Sequence, residues 1–117
     1  MSASYEVEQV EGRRLSVVTL HGQVDRGAMT ALSAAYEEAT ANDATTVLLD
    51  FTGVDYINST GIALIVGVLG QARADGRNVA ATGLSEHYRH VFAITRLADF
   101  IDVYDDVETA LTDATVG

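Results

Sequence analysis

The chain has 117 residues, enough for one domain but not for a second hydrophobic core. Its formal net charge is −10 and its seven cationic side chains are all arginines, so neither nucleic acid nor an anionic membrane surface is an expected ligand. The absence of cysteine excludes disulfides, thiolate catalysis and cysteine-ligated zinc.

The first third of the chain predicts two strands and a helix. YEVEQV, at 5–10, alternates polar and apolar residues as an edge strand does, and LSVVTLHG, at 15–22, predicts a partner strand joined to it through the turn EGRR. QVDRG then leads into a helix over 28–42. The residues expected on the buried face of this helix are Met29, Leu32, Tyr36 and Ala39.

The middle of the chain predicts a β-α-β unit. TTVLLDF, at 45–51, is β-branched and continuously apolar, as expected for a strand covered on both faces. A loop, TGVDYINSTG, follows and leads into an apolar helix over about 60–74 and a strand, RNVAATG, at 77–83. Because such a unit joins parallel strands by a right-handed crossover, we expect strands 46–51 and 78–82 to be parallel.

The last third predicts a helix, a short strand and a final helix. Ser85 is expected to cap the helix EHYRHVFAIT, FIDVY predicts the strand, and DDVETALTDA predicts a helix whose acidic first turn suits the helix dipole. The residues expected on the buried face of the EHYRHVFAIT helix are Tyr88, Val91, Phe92 and Thr95. Together the elements predict a single α/β domain over 1–117, with a mixed four- to five-stranded sheet and about four helices.

Two features of the chain bear on its location. The N-terminal residues MSASYEVEQVEG are polar and acidic, which is not the pattern of a signal peptide. The longest apolar run, Ile62 to Leu69, is much shorter than the about 20 residues of a membrane-spanning helix. We therefore expect a cytoplasmic protein.

The apolar helix over about 60–74 divides into two faces when residues are placed at about 100° intervals. The bulky face, expected against the sheet, comprises Ile62, Ile65, Val66 and Leu69. The other face is nearly without side chains and comprises Ala63, Gly67, Gly70 and Ala74, with Ser59 at its rim. Glycines at such positions often mark the close approach of another backbone. That backbone belongs either to a neighbouring helix of the same domain or to a partner protein that docks on this face.

Three small polar residues, Asn58, Ser59 and Thr60, stand where this helix begins. Each can cap it, since Asn, Ser and Thr side chains accept hydrogen bonds from the free amides of a first turn. One cap needs one residue, which leaves a hydroxyl free for modification. A phosphate on it would lie at the positive end of the helix dipole and add a charge of about −1.5 to −2 close to Asp55. Simple capping and a phosphorylation switch both remain open on this pattern.

The segment from Asp50 to Ser85 resembles the STAS domain family, and in particular its anti-sigma factor antagonists. In that family a strand ending in Asp, a loop of the form xxVxxIDSSG or xxVxxMDSTG and an apolar helix carry the phosphorylation site. The corresponding stretch here is LLDFTGVDYINSTGIALI. LHGQVD resembles the family's early xxGxLD segment, and LSEHYRHVFAITRLADFIDVYDDVETAL resembles its C-terminal part. The resemblance therefore covers nearly the whole chain.

By this resemblance, Ser59 matches the serine that a cognate anti-sigma kinase phosphorylates, Thr60 the adjoining hydroxyl residue and Gly61 the glycine that opens the helix. Asp25 matches an acid that lies near the site. The unphosphorylated form is then expected to bind an anti-sigma factor with serine kinase activity and so free a sigma factor. The expected partner-binding residues are Asp25, Asn58, Ser59, Thr60, Gly61, Ala63, Gly67 and Gly70.

We expect a binding protein and not an enzyme, a monomer or weak dimer, with no cofactor and no metal. The chain departs from the family pattern at Asn58, where the family usually has Asp. This change removes a negative charge beside the hydroxyl and favours an alternative function, whereas the intact Ser59-Thr60-Gly61 favours the switch, which is the preferred interpretation. The alternative is a STAS module that binds or scaffolds without being switched, in a signalling assembly or a lipid transport system.

Other kinds of site are less well supported by the residues. Asp50 ends a strand as the phosphate-accepting Asp of a receiver domain does, but the chain has no lysine to pair with the phosphoryl group, so Asp50 is expected to bind backbone amides of the following loop. His87 and His90 lie three residues apart beside Glu86, but no third metal ligand is evident. Ser59 with a histidine and Asp25 would form a hydrolase triad, but NSTG is not the Gly-x-Ser-x-Gly elbow.

Overall fold

The computed structural model describes residues 4–10, 14–41 and 43–116, and within these segments it contains one five-stranded sheet and four α-helices. No helix within these segments is both long and apolar enough to cross a membrane. The strands are β1 (Ser4–Val10), β2 (Leu15–Val24), β3 (Thr46–Ile57), β4 (Asn78–Thr82) and β5 (Asp102–Tyr104). The helices are α1 (Met29–Ala39), α2 (Ser59–Ala74), α3 (Glu86–Ile94) and α4 (Val107–Val116), and short 3-10 turns lie at Arg26–Ala28 and Leu97–Asp99.

The strands follow one another across the sheet in chain order. β1 is antiparallel to β2, and every other neighbouring pair is parallel. This confirms the α/β class, the edge position of β1 and the parallel pairing of 46–51 with 78–82. Residues 11–13, which form most of the expected EGRR turn, lie outside the described residues.

The loop expected after residue 51 is largely absent, because β3 continues to Ile57. The second half of β3 pairs with the end of β2, from Gly53 opposite His21 to Ile57 opposite Val24, with one register shift just before this stretch and one within it. Gly53 and Asp55 are residue types that favour turns. The long β2 strand nevertheless provides backbone hydrogen-bond partners, which keep this segment extended. β4 ends opposite Asp50, so the β2–β3 pair projects roughly 20 Å beyond it.

Alternate residues of the central strands enter two separate cores. On one face, Val47, Leu49 and Phe51 of β3 pack in the cluster that includes side chains of α1, α2 and α3. On the other face, Leu48 packs with Ala110 of α4. This alternation is the side-chain geometry of a strand, and it confirms that TTVLLDF is covered on both sides.

The buried face of α1 is partly as expected. Leu32, Tyr36 and Ala39 are buried, but Met29 is 58% exposed, so its expected place in the core was wrong. The reason is the 3-10 turn before α1, which buries Ala28 and leaves Met29 at the first turn of the helix, turned to the surface. The Tyr36 hydroxyl donates a 2.7 Å hydrogen bond to Asp75. Burial, with this bond to the Asp75 carboxylate, raises the pKa of Tyr36 to about 12.

The start of α3 is as expected, since the Ser85 hydroxyl accepts a 3.3 Å bond from the amide of Tyr88. Phe92 is fully buried and Val91 half-buried. Thr95 is exposed, which corrects its expected place on the buried face. It follows the last residue of α3 and donates its hydroxyl to the Val91 carbonyl at 2.7 Å.

The last strand is shorter than expected. A 3-10 turn at Leu97–Asp99 precedes it, and Phe100, which is 64% exposed, is the C-cap of that turn. β5 therefore begins only at Asp102. α4 follows, and its start is capped by Asp106, whose carboxylate accepts a 2.7 Å bond from the amide of Thr109. This bond lowers the pKa of Asp106.

Candidate functional site

The three polar residues at the start of α2 have different roles. Asn58 is the N-cap, and its side-chain oxygen accepts a 2.8 Å hydrogen bond from the amide of Gly61. Ser59 and Thr60 are the first residues of the helix, and both are exposed. The capping role is therefore filled by Asn58, and the two hydroxyls remain at the surface, beside the free amides of the first turn.

Gly61 lies where α2 meets the end of β2. A Cβ atom at this position would overlap the backbone carbonyl of Val24 and come within 3.1 Å of the Ile57 side chain. The same Val24 carbonyl accepts a 3.2 Å bond from the amide of Asn58. The close approach requires glycine and holds the start of α2 on the end of the β2–β3 pair.

Asp25 follows the last residue of β2, at the same end of the sheet as Asn58, Ser59 and Thr60. Val24 is the register partner of Ile57, so Asp25 and Asn58 each directly follow the last residue of two adjacent parallel strands. The Asp25 carboxylate is half-exposed and accepts a 2.9 Å bond from the amide of Gly27, which caps the 3-10 turn. The fold therefore brings two segments that are more than thirty residues apart in the chain to one end of the sheet.

Tyr88 is a residue of this region that sequence reasoning missed. Its phenolic oxygen accepts a 2.8 Å bond from the amide of Ile57, immediately before the cap. This bond ties α3 to the end of β3. The sequence gives no signal for this hydrogen bond. Residues 52–61 were expected to form a loop, and a loop does not predict a strand amide at Ile57 that needs an acceptor from α3.

The face of α2 that packs on the sheet is rotated by roughly 80° from the expected one. Ile65 and Ala72 are buried, Ile62 and Leu69 are half-buried at the edges, and Val66 is 48% exposed. The expected burial of Val66 was therefore wrong. The helix packs through its smaller residues, because the tight contact at its first turn sets its orientation. The residues at the centre of the packed face are Gly61, Ile65, Val68 and Ala72.

The face of α2 without side chains points away from the sheet. A Cβ atom added at Gly67 or at Gly70 would meet no described atom within 4 Å, and Ala63 and Ala74 are exposed. Among the described residues, no neighbouring helix of the domain covers these glycines, so the internal-packing explanation is wrong. We call Ala63, Gly67, Gly70 and Ala74 the small-residue face.

The remaining sequence candidates have structural explanations. The Asp50 carboxylate accepts bonds from the amide and the hydroxyl of Thr52, at 3.0 and 2.6 Å, which is the expected kind of contact but within a strand and not a loop. The His87 ring packs edge-on against Tyr88, with centroids 4.8 Å apart. Across the described part of the chain, no group of three or more His, Cys, Asp or Glu side chains is placed to hold a metal ion.

Replacing the cap tests this assignment. Asn58→Ala is expected to lower the free energy of unfolding by about 1 kcal/mol, because the Gly61 amide loses its acceptor. Asn58→Asp keeps an acceptor and adds a charge that suits the helix dipole, so its stability is expected to match or exceed the parent. Urea unfolding measures both. An Asn58→Ala protein as stable as the parent would show that the amide is satisfied without this side chain.

Comparison with known proteins identifies the family of this domain. Residues 8–104 match the family model described as "Mlab, STAS domain". The chain belongs to the STAS domain family. An anti-sigma-B factor antagonist from Listeria monocytogenes is 25% identical over 103 residues, which covers 88% of this STAS domain and 90% of the relative.

Solved structures share the fold of this STAS domain. The anti-sigma factor antagonist SpoIIAA, solved unphosphorylated, superposes with a TM-score of 0.71 at 23% identity, over 97% of this chain and 99% of the other. SpoIIAA from Bacillus has also been solved in its phosphorylated form, with a TM-score of 0.67 at 23% identity over 92% and 96% of the two chains. A sulfate transporter family protein from Wolinella succinogenes superposes with a TM-score of 0.79 at 15% identity, over 92% and 90% of the chains. Since antagonists and a transporter protein share this fold, its function must be inferred from its site.

Proposed function

We propose that this STAS domain is an anti-sigma factor antagonist of the bacterial cytoplasm. In this proposal it binds an anti-sigma factor that has serine kinase activity, and the sigma factor is released. Phosphorylation of Ser59 by the same partner ends the binding. The protein acts by binding and not by catalysis. The name of the Listeria relative supports this class of function.

One observation carries the proposal: Asn58 caps α2 and leaves the Ser59 hydroxyl exposed at the start of the helix. A serine that served as the cap would have its oxygen engaged by a backbone amide. Here the oxygen is accessible to an incoming phosphoryl donor, and the helix does not need it. Modification of Ser59 is therefore compatible with an intact fold.

The electrostatic surroundings favour a switch that acts on the partner. A phosphate at Ser59 would lie beside the free amides and the positive dipole end of α2, which stabilise negative charge. It would add a charge of about −1.5 to −2 near Asp25 and Asp55, on a chain whose net charge is already −10. An acidic partner surface docked there would be repelled, and an apolar one would have to bury the phosphate charge without a compensating partner. The fold is preserved and the binding is lost.

The small-residue face supplies the surface for docking. Because Gly67 and Gly70 have open space above them, a partner backbone can approach α2 more closely than side chains would allow. Gly61, by contrast, is covered by Val24 and contributes by fixing the position of α2. The partner-binding residues of the proposal are therefore Asp25, Asn58, Ser59, Thr60, Ala63, Gly67 and Gly70.

A second candidate function rests on Asn58. It is neutral where the antagonist pattern has a carboxylate, and a kinase that reads that charge would bind this site poorly. The matching family model, described as "Mlab, STAS domain", is compatible with a module that binds without being switched. The small-residue face serves either function, but only the first requires the Ser59 hydroxyl.

Phosphorylation of the purified protein distinguishes the two functions. The protein is incubated with ATP and the anti-sigma factor kinase encoded nearest to its gene, and the products are analysed by mass spectrometry. We expect one phosphoryl group on Ser59, none on a Ser59→Ala protein, and undiminished labelling of a Thr60→Ala protein. A complex that forms while Ser59 stays unmodified would support the unswitched module.

A further inference from the structure

A groove lies at the end of α2 that is remote from Ser59. It runs between the second half of α2, the start of β4 and the 3-10 turn at Leu97–Asp99, and it encloses about 760 Å³. The side chains that matter for its chemistry are Val66, Leu69, Arg73, Arg77, Arg96 and Phe100. We call it the arginine groove.

The walls of the arginine groove expose apolar side chains that the fold does not use. Phe100 is 64% exposed and Val66 48% exposed, and both rank among the most exposed large hydrophobic residues of the described chain. Leu97 and Val79 are buried and form the floor. Exposed apolar side chains that gather in one concave site, rather than being scattered singly, indicate a surface that another molecule covers.

The charge of the groove is opposite to that of the protein. Among the described residues, three arginines and one acid, Asp102, line it, although the whole chain has a net charge of −10. Asp99 lies outside the groove and pairs with Arg96 at 2.8 Å. Arg73 is exposed in the last turn of α2.

Arg77 is the most constrained of the three arginines. One of its terminal nitrogens donates to the carbonyl of Ala44, which holds the side chain against the protein. Its Nε atom is buried and has no hydrogen-bond partner among the described residues. The guanidinium also interacts with Tyr36 and Asp75, so the fold holds it in place and it adds positive charge to the groove wall.

We propose that the arginine groove binds an acidic amphipathic helix of a partner protein. The apolar side of such a helix covers Val66, Leu69 and Phe100, and its carboxylates meet the exposed Arg73, where paired hydrogen bonds to a guanidinium are possible. Charge complementarity selects an acidic partner over a basic one. Gly70, in the wall of the groove, leaves room for the partner's backbone.

The neighbouring groove between α1 and α2 does not fit the same ligand. It lies on the other side of α2 and is lined by Met29, Tyr36 and Gln71 together with two acids, Glu37 and Asp75. The hydrogen bonds from Tyr36 and Gln71 lower the pKa of Asp75, so its carboxylate remains charged to lower pH than an isolated one. An acidic helix would be repelled there, which leaves the arginine groove as its site.

The arginine groove is separate from the proposed switch. It shares only Gly70 with the proposed partner-binding residues, and Arg73 lies about 20 Å along α2 from Ser59 at about 1.5 Å per residue. This inference does not depend on the proposed function. A partner bound in the groove stays bound when Ser59 carries a negative charge.

A synthetic peptide tests the groove directly. The probe is a helical peptide of about 14 residues with leucines at i, i+3, i+4 and i+7 and glutamates elsewhere, and a matched peptide carries lysines in place of the glutamates. In NMR titrations we expect the glutamate peptide to shift the amides of Arg73, Arg96 and Phe100. Arg73→Glu and Phe100→Ala are each expected to raise its Kd by about tenfold, and 0.5 M salt is expected to weaken it further.

Two variants serve as controls. Arg26→Glu makes the same change in net charge as Arg73→Glu but lies near Ser59, and it is expected to leave the Kd unchanged. Ser59→Asp is also expected to bind the peptide as the parent does. Equal binding of the lysine peptide, shifts centred on Ser59, or no binding by the folded parent would each overturn the proposal. So would self-association that Phe100→Ala abolishes, since the groove would then hold a second copy of the chain.

Discussion

Gly61→Ala is expected to destabilise the protein by about 3 kcal/mol or more. The new Cβ atom would overlap the Val24 carbonyl, a backbone atom that cannot move without breaking the β2–β3 pairing. That carbonyl also accepts a hydrogen bond from the amide of Asn58. Any movement that relieved the overlap would therefore displace the cap of α2. Urea unfolding monitored by circular dichroism gives the change in the free energy of unfolding.

Gly67→Ala is the matched control for this substitution. It lies in the same helix, but its Cβ atom would have no described atom of the domain within 4 Å. Alanine is the better helix former, so the control is expected to gain about 0.5–1 kcal/mol. Similar free energies of unfolding for the two variants would show that the contact between Gly61 and Val24 does not hold α2 in place.

Ser59→Asp is expected to weaken binding of the anti-sigma factor by about 1–3 kcal/mol, which is roughly 5- to 150-fold in Kd. Ser59→Ala is expected to bind as the parent does, because the exposed hydroxyl is not the helix cap. A negative charge at the start of α2 also suits the dipole, so neither variant should lose thermal stability. Isothermal titration calorimetry with the purified anti-sigma factor measures the affinities, and equal affinity of the two variants would refute the switch.

A bulky residue on the small-residue face gives an independent test of the docking surface. Gly67→Leu is expected to reduce binding without unfolding the protein, since no part of the described domain lies within 4 Å of the added Cβ atom. Gly67→Ala provides the smaller step at the same position. A large loss of thermal stability in the leucine variant, with binding retained, would place the docking surface elsewhere.

The elements of this fold were predictable where a local pattern decides them. The structure contains three features that local patterns predicted. They are the alternating strand β1, the apolar strand β3 and the Ser85 cap of α3. The parallel pairing of β3 and β4 was also predictable, because a helix that joins two buried strands permits few other arrangements. The resemblance to STAS domains was visible in the residues from Asp50 to Ser85.

Two of the mistaken expectations have the same physical cause, which is a contact with a distant part of the chain. Residues 52–57 form a strand because β2 is long enough to pair with them. Val66 is exposed because Gly61, seated on the Val24 carbonyl, sets the rotation of α2. The burial expected for Met29 fails for a local reason, since the 3-10 turn before α1 buries Ala28 and leaves Met29 exposed.

The sequence by itself determined the α/β class, the order of the elements and the presence of a polar triplet before an apolar, glycine-containing helix. These follow from periodicity, caps and residue size, which act over a few neighbouring residues. Only the tertiary structure decided that Asn58 is the cap, that Ser59 is exposed, and that Gly67 and Gly70 are uncovered. Those properties depend on how α2 packs against the end of β2 and on which other elements contact α2. Packing between distant parts of the chain decides both.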